Sequence, residues 1–180
     1  MIYWDLDNVL RDLCKPVWGR DAVEWFEKKD GMSFVEYLNA HPEILTDAPP
    51  TQYLSVALGM KNLHIWTATQ TNWIEPTWIW IKNHIGLPKI EFFSSGEEKL
   101  KRLQEDPTDY LIEDSPNFSD YSQIILIDKP YNGHIDAHIR VGYADFLKTI
   151  IDSHMSDSWV YKPKSTKAPY DIYGNRLPIP

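Results

Sequence analysis

NLHIWTATQTNWIEPTWIWIKNHIGLPKIEFF, residues 62–93, sets the architecture of the chain. Leu63–Thr67 is a short, largely apolar run of the kind that forms a buried strand. A helical stretch follows, with Pro76 near its first turn, apolar positions at Ile79, Trp80 and Ile85, and Gly86 just past its end. Ile90–Phe93 then reads as the next strand. A strand, a helix and a strand in succession make a parallel crossover unit.

Working outward, the alternation continues. Glu97–Leu103 predicts a helix, Tyr110–Ile112 a strand running into Glu113 and Asp114, and Gln123–Ile127 another strand. A short strand over Ala137–Val141 leads into a helix over Tyr143–Ser153. At the other end, Ile2–Leu6 predicts the first strand. The expected fold is therefore α/β: a three-layer, Rossmann-like parallel sheet with helices on both faces. In such sheets ligands bind beyond the carboxyl ends of the strands. Asp5, Asp7, Thr67, Glu113 and Asp114 all fall at predicted strand ends, so four acids and a hydroxyl from distant parts of the chain are expected to converge there.

Residues 12–60 interrupt the alternation and read as helices. Ala22, Trp25 and Phe26 suggest one apolar stripe, and Ser33 with Glu36 forms a capping box opening Phe34–Ala40. Thr46–Pro50 reads as a turn, and Thr51 as the cap of a short helix through Leu58, closed by Gly59. The predicted organisation is a core of residues 1–11 and 61–153, a small helical cap over 12–60 inserted after the first strand, and a Pro-rich C-terminal arm over 154–180. Trp159, Tyr161 and Tyr170 are expected to dock that arm on the body or on a second subunit.

Composition narrows the function. The 180 residues fit one domain of ordinary size, and 43% hydrophobic content is enough for a core. A net charge of −8 argues against binding a nucleic acid backbone. It leaves room for a small phosphorylated substrate if a divalent cation sits between the acids and the phosphate. The lone Cys14 excludes an internal disulfide and reads as a small packing residue. There is no leader-like N-terminus and no apolar run of about 20 residues, so a cytoplasmic, soluble protein without membrane contact is expected. Oligomeric state is left open. His134 and His138 flank Asp136 at a spacing that binds zinc on a helix, but Gly133 and the strand-like residues beyond it argue against a helix there.

The chemistry starts at Asp5-Leu6-Asp7-Asn8-Val9-Leu10. A carboxylate at the end of a buried strand costs free energy unless it is paired or binds a metal. Two such groups together repel and raise a pKa. Either they are solvated acids in a turn, or a cation neutralises them and one must hold a proton. The second case describes phosphoryl transfer through an aspartyl-phosphate.

DLDNVL after an apolar strand resembles the first motif, DxDG[TV]L, of the haloacid dehalogenase (HAD) superfamily of phosphatases. LHIWTATQ resembles the second motif, YLIEDSPNF at 110–118 the fourth, and ILIDKPYN at 125–132 is similar to a segment of the 5'(3')-deoxyribonucleotidase branch. The resemblance covers residues 1–153 and implies a HAD-like core with a helical cap. It implies Asp5 as nucleophile and Mg²⁺ ligand, and Asp7 as the acid and base whose main-chain carbonyl also ligates. Thr67 and the N–H groups of Leu6, Asp7 and Ala68 would donate to phosphate oxygens. Lys99 would neutralise the phosphate, with Lys101 as rival and Lys82 or Lys89 behind. Asp114 would be a direct ligand, and Glu113 a ligand, a holder of a metal water or the partner of Lys99.

Two residues depart from the pattern. Glu113 stands where the nucleotidase branch has Asp, and Asn8 where the superfamily has Gly. Asn is the next most tolerant residue of the backbone conformation that Gly permits, and the resemblance also implies Asn8 as a substrate-binding residue. Trp18 and Trp25, with Phe26, Phe34 and Tyr37, form either a stacking wall for a nucleobase or the cap's own core. Arg11 and Arg20 reach a phosphate or lie on the surface. The implied activity is hydrolysis of a nucleoside monophosphate. The alternatives are a HAD phosphatase for another substrate, such as a nucleic acid end or a sugar phosphate, and a non-catalytic phosphate- or nucleotide-binding module.

Overall fold

The computed structural model describes residues 1–155. The expected arm beyond Met155, with Trp159, Tyr161 and Tyr170, lies outside the described residues. Among those described, six strands form one sheet in the order β3-β2-β1-β4-β5-β6, and every pairing is parallel. They are β1 (Ile2–Trp4), β2 (His64–Ala68), β3 (Lys89–Phe93), β4 (Tyr110–Glu113), β5 (Ile124–Ile127) and β6 (Ile139–Val141). With helices on both faces, the fold is α/β and Rossmann-like, as the alternation predicts. Strand order reverses at β1, which pairs with β2 on one side and β4 on the other. That reversal is where open parallel sheets bind ligands.

The strands alternate side chains between two cores. Trp4, Ile65, Ile112 and Ile125 pack with Trp80 and Ile81 of α5 (Ile74–His84) and with Leu147 and Ile151 of α7 (Ala144–Met155). Tyr3, Trp66, Leu111 and Leu126 pack on the other face with Leu103 of α6 (Gly96–Leu103) and with Phe118. Strands covered on both faces need apolar residues at nearly every position, which is why β5 reads Ile-Ile-Leu-Ile.

The segment between β1 and β2 carries α1 (Cys14–Trp18), α2 (Phe34–Ala40), α3 (Glu43–Asp47) and α4 (Leu54–Leu58). Ser33 and Glu36 form the predicted capping box on α2. Leu13, Val17, Leu38, Leu45 and Ala48 make a small core of their own, sealed by Trp73. The end of the segment belongs elsewhere: Tyr53, Leu54 and Ala57 pack into the main core with β1 and α5.

Three local expectations are corrected. Ala22, Trp25 and Phe26 are not on a helix, because Asp30 and Gly31 (φ 52° and 80°) turn the chain back and Lys29 pairs with Met32. Ala22 is buried while Phe26 is 85% exposed. Thr46 and Asp47 close α3, and the chain beyond it is not a turn: Ala48 has an extended ψ of 138°, and Pro50 bridges Arg11. Thr51 does not cap α4, which starts three residues later. Its hydroxyl donates to the Val9 carbonyl and accepts from Tyr53 N–H, fastening this segment to the loop after β1. No helix among the described residues is long and apolar enough to cross a membrane.

Candidate active site

The loop after β1 is built before any chemistry is considered. Asp5 N–H donates to Ile112 O at 2.9 Å, extending the β1–β4 ladder by one residue. Leu10 and Arg11 N–H both donate to Leu6 O at 2.8 Å, and Asn8 N–H donates to Arg11 O. Asn8 takes the left-handed conformation (φ 59°) that the turn requires. Its side-chain oxygen accepts from Leu13 N–H at 3.1 Å and so helps to hold the turn.

The loop delivers Asp5 to the end of β4. Ligand atoms of Asp5, Glu113 and Asp114, all buried, lie within 4.8 Å of one another. Lys99 of α6 reaches the same point. Its Nζ is 2.5 Å from Asp5 Oδ1 and 2.5 Å from Glu113 Oε2, and the residue is 2% exposed. Lys82, Lys89 and Lys101 are exposed. Of the three roles open to Glu113, the pairing with Lys99 is the one observed, and its other oxygen accepts from Asp114 and Ser115 N–H at 3.1 Å.

Three carboxylates around one ammonium leave an uncompensated negative charge in a buried place. Burial, and then Glu113 alongside, push the Asp5 carboxyl well above its ordinary range. The same two causes raise Asp114 to about 7 against the opposing bond from Tyr131. Burial works against the charge on Lys99, but Asp5 and Glu113 outweigh it and hold the ammonium above its usual value. Hard oxygen donors converging on one point with charge left over could hold a metal cation.

Asp7 is placed differently. Its carboxylate is not in the three-acid group; it is turned to Arg11, whose Nε and Nη2 lie 2.8 and 2.6 Å from the same oxygen, Oδ1. The Asp7 side chain thus lies outside the acid group; the metal role expected of Asp7 is through its main-chain carbonyl. Arg11 is neither on the surface nor at a phosphate: it is wholly buried, donating also to Leu45 O at 2.6 Å and Thr77 Oγ1 at 3.2 Å. Arg20 lies on the surface against Glu27. Thr67, 1% exposed, and Ala68 end β2, beside the Asp5 loop.

Two further residues complete the acid site. After β5, a single 3₁₀ turn over Pro130–Asn132 places the Tyr131 hydroxyl on Asp114 Oδ2. Asn132 Nδ2 donates to Asp114 O at 2.8 Å and Ile127 O at 2.9 Å. Arg140 of β6 fixes that turn through Asn132 and Ile135 O and pairs with Asp128.

The chain matches no family model and no curated protein.

Trp18 and Trp25 both pack on protein side chains, Trp18 against two clusters and Trp25 against one. Trp18 stacks on Phe34 within the segment's own core, centroids 5.0 Å apart. Trp25 leaves that core and lies against the Tyr131 ring at 5.3 Å, beside Cys14 and Ala22. Burial pushes the Cys14 thiol up to about 12, so it serves as packing rather than as a nucleophile. His134, Asp136 and His138 form no metal-holding group among the described residues.

Sequence reasoning missed Tyr131, Asn132 and the burial of Arg11. Signals existed for each. Pro-Tyr-Asn directly after a strand end puts polar groups at the sheet's working edge. Arg11 stands four residues after Asp7 inside the apolar run Val9–Leu13.

Proposed function

We propose that the protein is a Mg²⁺-dependent phosphate monoester hydrolase working through an aspartyl-phosphate on Asp5, with a nucleoside monophosphate as the substrate class and a HAD-like lineage. The observation that carries this reading is the buried Lys99 bridging Asp5 and Glu113 beside Asp114 at the strand-order reversal. A structural ion pair needs one acid for one lysine; a third buried carboxylate at the same point has no structural use and suits a cation.

Asp5 and Asp114 would hold the cation, which would neutralise phosphate charge and lower repulsion toward the attacking carboxylate. Asp5 attacks phosphorus through one carboxylate oxygen, and the ester oxygen leaves with a proton from Asp7. Asp7 then takes a proton from the water that hydrolyses the acyl phosphate, restoring Asp5 and releasing phosphate. Such proton transfer contributes roughly 10²–10⁴-fold. Lys99 holds Asp5 in place and offsets charge on the transferring group. Thr67 and the N–H groups of Leu6, Asp7 and Ala68 are assigned to phosphate oxygens, where fixed donors stabilise the transition state. Trp25, at the border of the acid site, is assigned to the leaving group. The net charge of −8 supports a small phosphate ester over a polymer backbone.

The test is release of phosphate from p-nitrophenyl phosphate with and without Mg²⁺. Activity that needs the cation and disappears in Asp5→Asn is expected; Asp5→Asn turning over like the wild type removes the proposal. A panel of 5'- and 3'-nucleotides against sugar phosphates then tests the substrate class.

A further inference from the structure

The inserted segment touches the acid site at one described ring contact. Trp25, half-buried, lies against the face of Tyr131 at 5.3 Å and 55°. Tyr131 is 2% exposed, and its hydroxyl donates to Asp114 Oδ2. Asp114 is otherwise held through its main chain, by Asn132 Nδ2 on its carbonyl and by Glu113 on its N–H. Among these bonds, the one from Tyr131 acts on the Asp114 carboxylate itself.

We infer that Tyr131 is a positioning residue that aims Asp114 at the cation, and that Trp25 packed on its ring makes cation affinity depend on the inserted segment. The inference rests on the metal-site reading above. A carboxylate with one oxygen fixed by a donor presents the other in one direction. Without the donor it rotates, and ordering it again opposes binding. Hydrogen-bond partners of metal ligands typically account for roughly 10–100-fold in affinity. Tyr131 cannot swing aside, because Cys14, Ala22 and Trp25 enclose its ring. Removing Trp25 opens that enclosure without touching any acid. The same contact works in reverse: a cation that orders Asp114 and Tyr131 favours the packed position of Trp25, since coupling between two sites is reciprocal.

Mn²⁺ serves as the probe, with the free ion measured by electron paramagnetic resonance in the absence of substrate, on the full chain. Tyr131→Phe keeps the ring and removes the hydroxyl; it is expected to weaken Mn²⁺ binding about 10–100-fold. Trp25→Ala is expected to weaken it by a smaller factor, roughly 3–10-fold. In the double variant the Trp25 effect should vanish, because the path runs through the Tyr131 hydroxyl. Tyr131→Phe should also regain phosphatase turnover when Mg²⁺ is raised, which a general loss of structure would not allow. Either single variant binding Mn²⁺ within twofold of the wild type overturns the inference while leaving the metal site intact. A wild type that binds no Mn²⁺ overturns the metal-site reading and this inference with it.

Discussion

Arg11 holds Asp7 through a single carboxylate oxygen. Both short contacts, 2.8 Å from Nε and 2.6 Å from Nη2, fall on Oδ1. The same guanidinium reaches Leu45 O in α3 and Thr77 in α5 and lies over the Trp80 ring at 5.8 Å. One fully buried arginine thus ties the loop after β1 to the inserted segment and to the core helix.

Two variants separate the structural and chemical sides of that pair. Arg11→Ala leaves the buried Leu45 carbonyl and Thr77 hydroxyl and the half-buried Asp7 without their donor, and each such unsatisfied group costs about 1–3 kcal/mol. Denaturant unfolding is expected to show a loss of that order, with Arg11→Lys recovering only part of it, because an ammonium cannot meet three differently directed acceptors with the geometry of a guanidinium. Asp7→Asn keeps the shape and is expected to lose about 10²–10⁴-fold in kcat while phosphate still binds. An unchanged kcat in Asp7→Asn removes its assigned proton role.

Lys99 and Lys101 sit two residues apart on α6 yet face opposite environments, one buried among acids and one exposed. Lys99→Ala leaves three buried carboxylates without their ammonium and is expected to cost about 3–5 kcal/mol in the metal-free protein. It should also weaken inhibition by inorganic phosphate at least tenfold. Lys101→Ala should stay within about 0.5 kcal/mol of the wild type and leave phosphate affinity alone. Thermal unfolding in EDTA and phosphate inhibition constants check both; the reverse order would exchange the two roles.

Much of this site was legible because its parts obey one rule: in a parallel sheet, polar residues at strand ends meet. The rule was enough to bring Asp5, Glu113 and Asp114 together and to put Thr67 beside them. Lys99 was readable from its place early in the helix after β3. What could not be read was orientation. Nothing in DLDNVLR says that Asp7 turns from the acid cluster toward Arg11, because that depends on Leu45 and Thr77, each more than thirty residues away. The false helix over Ala22–Phe26 has a similar origin: the apolar spacing was present, but Ala22 packs on Tyr131, Trp25 against its ring, and Phe26 on nothing.

Gly96 opens α6 directly under Phe118. A Cβ there would stand 2.7 Å from Phe118 Cζ, and Phe118 in turn lies beneath Lys99 Nζ at 5.7 Å. Gly96→Ala therefore forces the ring or the helix end to shift, and overpacking of this kind costs about 1–3 kcal/mol. The displaced helix carries Lys99, so phosphate affinity should fall together with stability. Combining the change with Phe118→Leu, which vacates the contacted ring atom, should restore part of both. Full stability in Gly96→Ala would show that the ring moves freely and that Lys99 does not depend on it.

The acid cluster makes stability depend on pH in a direction set by its raised carboxyls. Asp114 is held up to about 7 by burial and by Glu113, and Asp5 is raised by the same causes. In the unfolded chain both return to about 3.9. Between those values the folded protein binds more protons than the unfolded one, so stability falls as pH rises. His64, held low by burial, pulls the other way below about 6.5, which makes pH 6.5 the proper starting point. In EDTA, Tm is expected to drop from pH 6.5 to pH 8.5 by roughly 2–4 °C, the response to about 1 kcal/mol in a domain of this size. Saturating Mg²⁺ should cancel the drop, because the cation competes with those protons for the same oxygens; the Tm gain on adding Mg²⁺ is therefore larger at pH 8.5 than at pH 6.5. Asp114→Asn should flatten the EDTA profile and shrink the Mg²⁺ gain. A metal-free protein whose Tm rises over this interval, or a Mg²⁺ gain that is the same at both ends, would mean that the Asp5 and Asp114 carboxyls are neither proton-loaded in EDTA nor the groups that hold the cation.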